Sequence, residues 1–204
     1  ANLACVVISN GSSGTDQPFL HAFAGAIAAL PPDTQRRLLS NRLLAPVLQS
    51  LFRQSNKQVR EPEDYFAGAA HPPVFRGADI DEERFVRAAH NLTEFAIPPI
   101  VLLEVKSESP GPLNGRDFFE LSVNDSEKLA DTPCAIARIF RGGAVRREML
   151  VSARRSSDLA GRQLDFRWVL LQGDARRVRI EPSRDGAEAR ISVGWHPEVR
   201  SAAG

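Results

Sequence analysis

The clearest alternation of apolar and polar positions lies in the stretch MLVSARRSSDLAGRQLDFRWVLLQG, residues 149–173. It holds two apolar runs, 149–153 and 164–171, separated by a polar, turn-rich segment. In the second run Leu164, Phe166, Trp168 and Leu170 alternate with Asp165, Arg167, Val169 and Leu171. Side chains on a strand alternate faces, so Trp168 and its partners share one face. The pattern predicts a two-strand unit with a buried Trp168 clasped between two layers of a β-sandwich.

Upstream the period is helical. Residues 3–9 (LACVVIS) read as a short strand and 10–15 (NGSSGT) as a loop. Asp16 is placed to cap a helix that tolerates Pro18 in its first turn and carries Phe19, Leu20, Phe23, Ile27 and Leu30 on one side. Pro31-Pro32 ends it, and Asp33 is expected to cap the next. The leucine-rich stripe from Leu38 to Phe52 must break near Leu44, with Pro46 opening a new segment. Pro62 and the following acidic pair predict one helical turn through Phe66. His71-Pro72-Pro73 is extended, and Asp79 or Asp81 caps a helix bearing Phe85, Val86, Ala89 and Leu92.

The segment 96–99 (AIPP) reads as a stiff linker, after which the period falls to two. Strands are predicted at 100–105, 118–123, 135–140, 145–153, 164–171, 178–181 and 189–195, with Gly, Pro and Asp turns between most of them. This pattern divides the chain into a helical region at 1–96 with one N-terminal strand, and a strand-rich domain at 97–204. The expected class is α+β, with an immunoglobulin-like antiparallel β-sandwich as its second part.

Composition narrows the function classes. The chain has 204 residues, 43% apolar and 25% charged, with a net charge of +1. That is a globular balance with no overall field toward nucleic acid or membrane. No apolar run approaches the roughly 20 residues of a membrane helix. Lys occurs only at 57, 106 and 128, an arginine bias expected of a GC-rich bacterial genome. Neither terminus looks natural, so a fragment is expected and the lack of a visible leader carries no weight. Cys5 and Cys134 fit no metal or redox spacing, and two buried thiols are expected rather than one bridge.

The run Leu150 to Ala153, Ser157-Asp158, Gly161, the LDFRW strand ending at Trp168, and Gly173-Asp174 together resemble the PKD-like and REJ-like immunoglobulin-type modules. The resemblance covers about residues 98–197. The chain as a whole, including the AHPPVF segment at 70–75, also resembles bacterial proteins of uncharacterised activity that carry such a module near their C-terminal end. The PKD-like pattern expects further strands after 189–195, and the chain stops within about ten residues. Either earlier strands replace the missing ones or the sandwich lacks an edge. An open edge pairs with another chain or with a segment beyond these residues.

Three residues stand out as candidate binding groups. Ser13 lies in a Gly-rich loop between strand and helix, where backbone amides can cradle an anion. The loop misses the P-loop ending, and Thr15 replaces the last Gly of a nucleophile elbow. His71, like His196, precedes a Pro and reads as a hydrogen-bonded group at a segment end. His21, His71, His90 and His196 have no paired helical spacing for zinc, and His90 and Glu94 share a face only if the helix persists. Asp158, with Ser156 and Ser157, offers too few charges for calcium and reads as a turn cap opposite Gly161. No catalytic residue, metal or cofactor is assigned. The arginines from Arg138 to Arg179 read as solvated sheet faces with carboxylate partners. Three Asn-x-Ser/Thr matches, at Asn10, Asn91 and Asn124, are at chance level.

The resemblance implies a non-catalytic adhesion or spacer module of a larger, extracytoplasmic bacterial protein. Exposed aromatics or an open strand edge would bind a protein or polysaccharide surface. Nucleic acid and a membrane span are not expected. The alternative is the C-terminal portion of a hydrolase whose catalytic residues lie largely outside this chain, with the strand, Gly-Ser loop and helix at Leu3 to Leu30 as its visible remnant and Ser13 as the nucleophile candidate in that loop. A third reading is a ligand pocket between the halves, lined by Phe66, Phe75 and Phe95.

Overall fold

The computed structural model describes residues 14–72, 74–109, 126–132, 134–140 and 145–195, with only the backbone at 126–132, 139 and 140. The fold is α+β. The chain divides into two compact units, one holding the residues up to Ile100 together with Asp158–Arg162, the other holding Val101–Ser157 and the residues from Gln163 onward.

In the first unit α1 spans Gln17–Ala29, α2 Pro32–Ser40, α3 Leu44–Gln54 and α4 Glu82–His90. Small residues set how closely α1 and α4 pack. Ala22 and Ala26 are fully buried, and a Cβ on Gly25 would lie 3.1 Å from Val86 Cγ2. Asp16 occupies the N-cap of α1 without a side-chain bond, and its carbonyl accepts the Phe19 and Leu20 amides instead. Asp33 does not cap α2. Pro31 does, and Asp33 sits in the first turn, paired with Arg36. Asp81 caps α4 as expected, its carboxylate accepting Arg84 N–H at 2.9 Å.

The break before Pro46 has a defined geometry. Arg42 adopts φ 57°, Leu43 N–H bonds Leu38 O (2.8 Å), and Arg42 N–H bonds Leu39 O (3.1 Å). That is a Schellman stop with Arg where Gly is usual. It lets α3 restart with Pro46 in its first turn, where a missing amide costs little. The core then closes on Phe52. Its ring meets Phe23 (5.1 Å), Phe75 (5.0 Å) and Phe85 (5.6 Å), the last fully buried. Each such aromatic pair adds about 1 kcal/mol beyond area burial.

In the second unit β1 spans Glu104–Glu108, β2 Ser126–Thr132, β3 Ala135–Phe140, β4 Arg146–Ser152, β5 Val178–Pro182 and β6 Glu188–Gly194. Among the described residues these form an antiparallel sheet in the order β1-β4-β6-β5 and a β2-β3 hairpin. Register sorts the sheet into two faces. Ile180, Ile191 and Met149 stand in one row, and Pro182, Ala189, Val151 and Val105 in another, on the same apolar side. Glu181, Arg190 and Leu150, then Arg179, Ser192 and Glu148, form rows on the opposite, largely polar side.

The Trp168 segment departs from expectation. Residues 164–171 belong to no strand, and Trp168 is half-buried rather than enclosed. Alternation of burial holds from Leu164 to Trp168 and then slips, with Val169 half-buried and Leu170 exposed. The segment meets the β5–β6 turn through a side chain instead, Trp168 Nε1 donating to Gly186 O at 2.7 Å, and it joins no strand of the sheet. The strand expected at 100–105 lies at β1, shifted toward the C-terminus, and β2 was not anticipated. The strands expected at 3–9 and 118–123 lie outside the described residues. No helix among the described residues is long and apolar enough to cross a membrane.

Candidate binding surface

Ser13 lies outside the described residues, as do Cys5 and His196. Cys134 is half-buried. His21 and His90 are exposed, and α4 ends at His90, so Glu94 leaves the helix and pairs with Arg37 at 3.4 Å. Among the described residues no group of His, Cys, Asp and Glu could hold a metal ion.

His71 is 6% exposed. Its Nε2 lies 2.8 Å from Tyr65 O, and its ring stacks edgewise on Tyr65 at 5.2 Å. Burial lowers its pKa, opposed by the bond to Tyr65 and helped by the nearby Arg53 charge. Arg53 is itself buried, bonding Ala70 O at 3.0 Å and lying over the Phe75 ring. These bonds tie the 62–71 turns to α3, which makes His71 a structural group.

Asp158 is spent on its own turn. Its carboxylate accepts Ala160 N–H (2.8 Å), Arg162 Nε (3.0 Å) and Arg162 Nη2 (2.6 Å), and its side chain is 1% exposed. The Arg162 guanidinium, followed by backbone amides, pulls its pKa down to about 2. Gly161 supplies the left-handed turn at φ 72°. The segment packs within the helical unit, where Arg162 Nη2 bonds Ile97 O (2.8 Å) and Arg37 Nη2 bonds Leu159 O (2.9 Å). No oxygen of Asp158 is left to build a cation site, and Ser156 Oγ is engaged with the Leu102 backbone.

The three phenylalanines of the pocket reading do not converge. Phe75 packs on Phe52, Phe66 lies against Tyr65, and Phe95 is 66% exposed.

What the fold does assemble is a surface at one end of the sheet. Trp195 follows β6 and continues its ladder, its N–H bonding Val145 O at 2.8 Å. Trp195 and Val145 are thus a cross-strand pair, 58% and 79% exposed, beside the exposed Val193. The Trp195 carbonyl accepts Arg177 Nη1 at 2.7 Å. Arg177 shares Asp174 with Arg176, at 3.6 and 2.9 Å, and Arg176 lowers the Asp174 pKa to about 2. By the register Trp195, Val145 and Val193 lie on one face of the sheet, and neighbouring exposed apolar side chains are the kind of feature that marks contact surfaces. Sequence reasoning placed Trp195 in a strand but gave it no role, because period-two alternation does not say which end of a sheet stays uncovered.

The β5 edge of the sheet is short. Gly194 N–H to Arg177 O (2.6 Å) and Ser183 N–H to Glu188 O (2.8 Å) set the ladder phase of β5. Arg179 and Glu181 therefore bond toward β6, while Val178, Ile180 and Pro182 turn their main-chain groups outward. Pro182 has no N–H to offer, so only two amides of β5 remain for a further strand. Most of the described arginines on the sheet have carboxylate partners, such as Arg154 with Asp185 and Glu188, and Arg179 with Glu181.

Comparison with known proteins finds no matching family model, no matching curated protein and no matching solved structure.

Proposed function

We propose that the strand-rich unit is an immunoglobulin-like sandwich of the PKD-like type, serving as a non-catalytic adhesion-type binding module whose contact surface is the Trp195–Val145 end. The layered reading is supported by one ion pair. Glu108 shares a row with Met149 and Ile191 on the apolar face, and Arg138 of β3 reaches it at 2.8 Å with a side chain only 4% exposed. A buried guanidinium spanning hairpin and sheet is what a second layer over that face requires. The binding reading is carried by the exposed Trp195. The Trp195 backbone is fixed by its amide bond to Val145 O and by the Arg177 side chain on its carbonyl, and exposed Trp side chains are enriched among residues that dominate contact energetics.

Sedimentation with insoluble polysaccharides (cellulose, chitin, xylan, peptidoglycan) tests this function. The wild-type chain is expected to leave the supernatant with at least one polymer and Trp195→Ala with none. Equal behaviour of the two chains, or a wild type that stays in solution throughout, overturns the reading.

A further inference from the structure

Helix α1 has an outer face without charge. Its sequence, QPFLHAFAGAIAA, contains no Asp, Glu, Lys or Arg. Ala22 and Ala26 turn into the core, while Leu20, Ala24, Ile27 and Ala28 stand on the opposite side and are exposed, Leu20 at 54% and Ile27 at 37%. A helix that is apolar on every side is normally covered on every side. The other amphipathic helices carry charge on their open sides, Asp33 and Arg36 on α2, Glu83 and Arg87 on α4. The uncovered face of α1 continues onto α4. Ala29 lines one open groove together with Glu82, Glu83, Val86, Arg87 and His90. Val86 packs at the level of Gly25, where a Cβ would lie 3.1 Å from its Cγ2. The α4 bank of that groove has two ends of opposite sign, with Glu82 and Glu83 in the first turn and Arg87 and His90 in the last.

We infer that the α1–α4 face is a contact between two copies of this chain, packed about a two-fold axis that crosses both helices at the level of Val86 and Ala24. The contact lies wholly within the helical unit and is independent of the function proposed for the strand-rich unit. Charge selects the occupant and its direction. About that axis each helix meets its own counterpart antiparallel. The acidic end of α4 then faces the basic end of the partner's α4. The exposed Glu83–Arg87 pair of one copy lies head to tail with that of the other, so each carboxylate keeps its own guanidinium and gains a second. A parallel arrangement would set like charge against like. Along α1, symmetry about Ala24 puts Leu20 opposite the partner's Ala28, a large side chain over a small one, with no charge to desolvate. A partner of one sign would match one end of α4 and oppose the other. A lipid surface would desolvate Glu83 and Arg87 without supplying counter-charges in register. The helices are about 20 Å and about 14 Å long, a patch at the small end of specific interfaces, so the dimer is weak and concentration-dependent.

Sedimentation velocity of the full chain from about 5 to about 500 μM tests this, a range that brackets weak association. The wild-type chain is expected to pass from monomer to dimer. Leu20→Glu and Ala24→Arg change exposed positions on the face and should each give a folded monomer throughout, with circular dichroism to establish folding. Glu83→Arg and Arg87→Glu each set like charges across the axis at two symmetric places and should weaken the dimer about tenfold. The double variant Glu83→Arg, Arg87→Glu exchanges the two ends and should restore it. A wild-type chain that stays monomeric at the highest concentration overturns the inference. If that monomer floats with phosphatidylcholine vesicles and Leu20→Glu does not, the face belongs to lipid instead. A dimer that survives both Leu20→Glu and Ala24→Arg lies elsewhere on the molecule and overturns it too. Single exchanges that leave the dimer unchanged, or a double variant no tighter than either single one, overturn the antiparallel two-fold packing.

Discussion

The indole Nε1 of Trp168 donates a hydrogen bond to the carbonyl oxygen of Gly186 at 2.7 Å. This bond ties an extended segment that belongs to no strand to the turn between β5 and β6. Trp168→Phe keeps most of the apolar contact and leaves that carbonyl without its donor. The expected cost is about 1 kcal/mol of stability. Urea denaturation followed by circular dichroism reads it, and an unchanged midpoint would mean that the bond contributes nothing net.

Gly186 and Gly161 separate two effects that a glycine substitution usually mixes. Both have positive φ, 70° and 72°. A Cβ on Gly186 would lie 3.0 Å from Phe166 O and 3.3 Å from Phe166 Cβ, whereas a Cβ on Gly161 meets nothing within 4 Å. Gly161→Ala therefore carries backbone strain alone, about 1 kcal/mol. Gly186→Ala adds a clash with main chain that cannot rotate away, for about 3 kcal/mol in total. Thermal melts of the two variants should rank in that order, and equal losses would refute the clash.

His71 predicts a pH response of the helical unit. Its pKa lies below the ordinary 6.5, chiefly through burial, so between those values the unfolded chain binds the proton more readily than the folded one. Stability is then fully present above pH 6.5 and declines as pH falls toward the lowered value. His71→Gln should flatten this slope in melts taken from pH 7.5 to 5. A slope that persists in the variant would assign it to another group.

Three carboxylates predict a second transition in acid. Asp158, Asp174 and Asp185 all have pKa values near 2, against an ordinary 3.8, through bonds from Arg162, from Arg176, and from Ser183 and Arg154 respectively. Between these values the folded chain holds fewer protons than the unfolded one. The stabilisation is present above about pH 4 and is lost as pH falls through about 2. Melting temperatures from pH 5 to 2 should drop mainly below pH 4, less steeply in an Asp158→Asn, Asp185→Asn double variant. A double variant as acid-sensitive as the wild type contradicts this origin.

Local chemistry was legible wherever one residue sets one bond. Asp81 caps α4, Pro46 opens a helix after a break, and Pro62 starts a single turn, because each depends on the covalent properties of that residue. Asp158 read as a turn cap is found as one. Asp33 was misread because two prolines before it already give the helix an entry that requires no side-chain acceptor. Trp168 was misread for a deeper reason. Alternation records which side of a backbone is sheltered, and it says nothing of whether that backbone pairs with a strand or is tied down by a side chain, as here through Trp168 Nε1.

The order of residues by itself determined where the chain turns from period 3.6 to period 2, which positions punctuate it, and that both α and β structure follow. Those depend on neighbours within a few bonds. Only the tertiary structure decided that Trp195 stays exposed while Trp168 is half-covered, and that Arg176 and Arg177 converge on Asp174 with Arg177 also holding the Trp195 carbonyl. Exposure and these contacts belong to surfaces assembled from distant segments, here residues 145, 174–177 and 195, and their proximity exists only once the strands have paired.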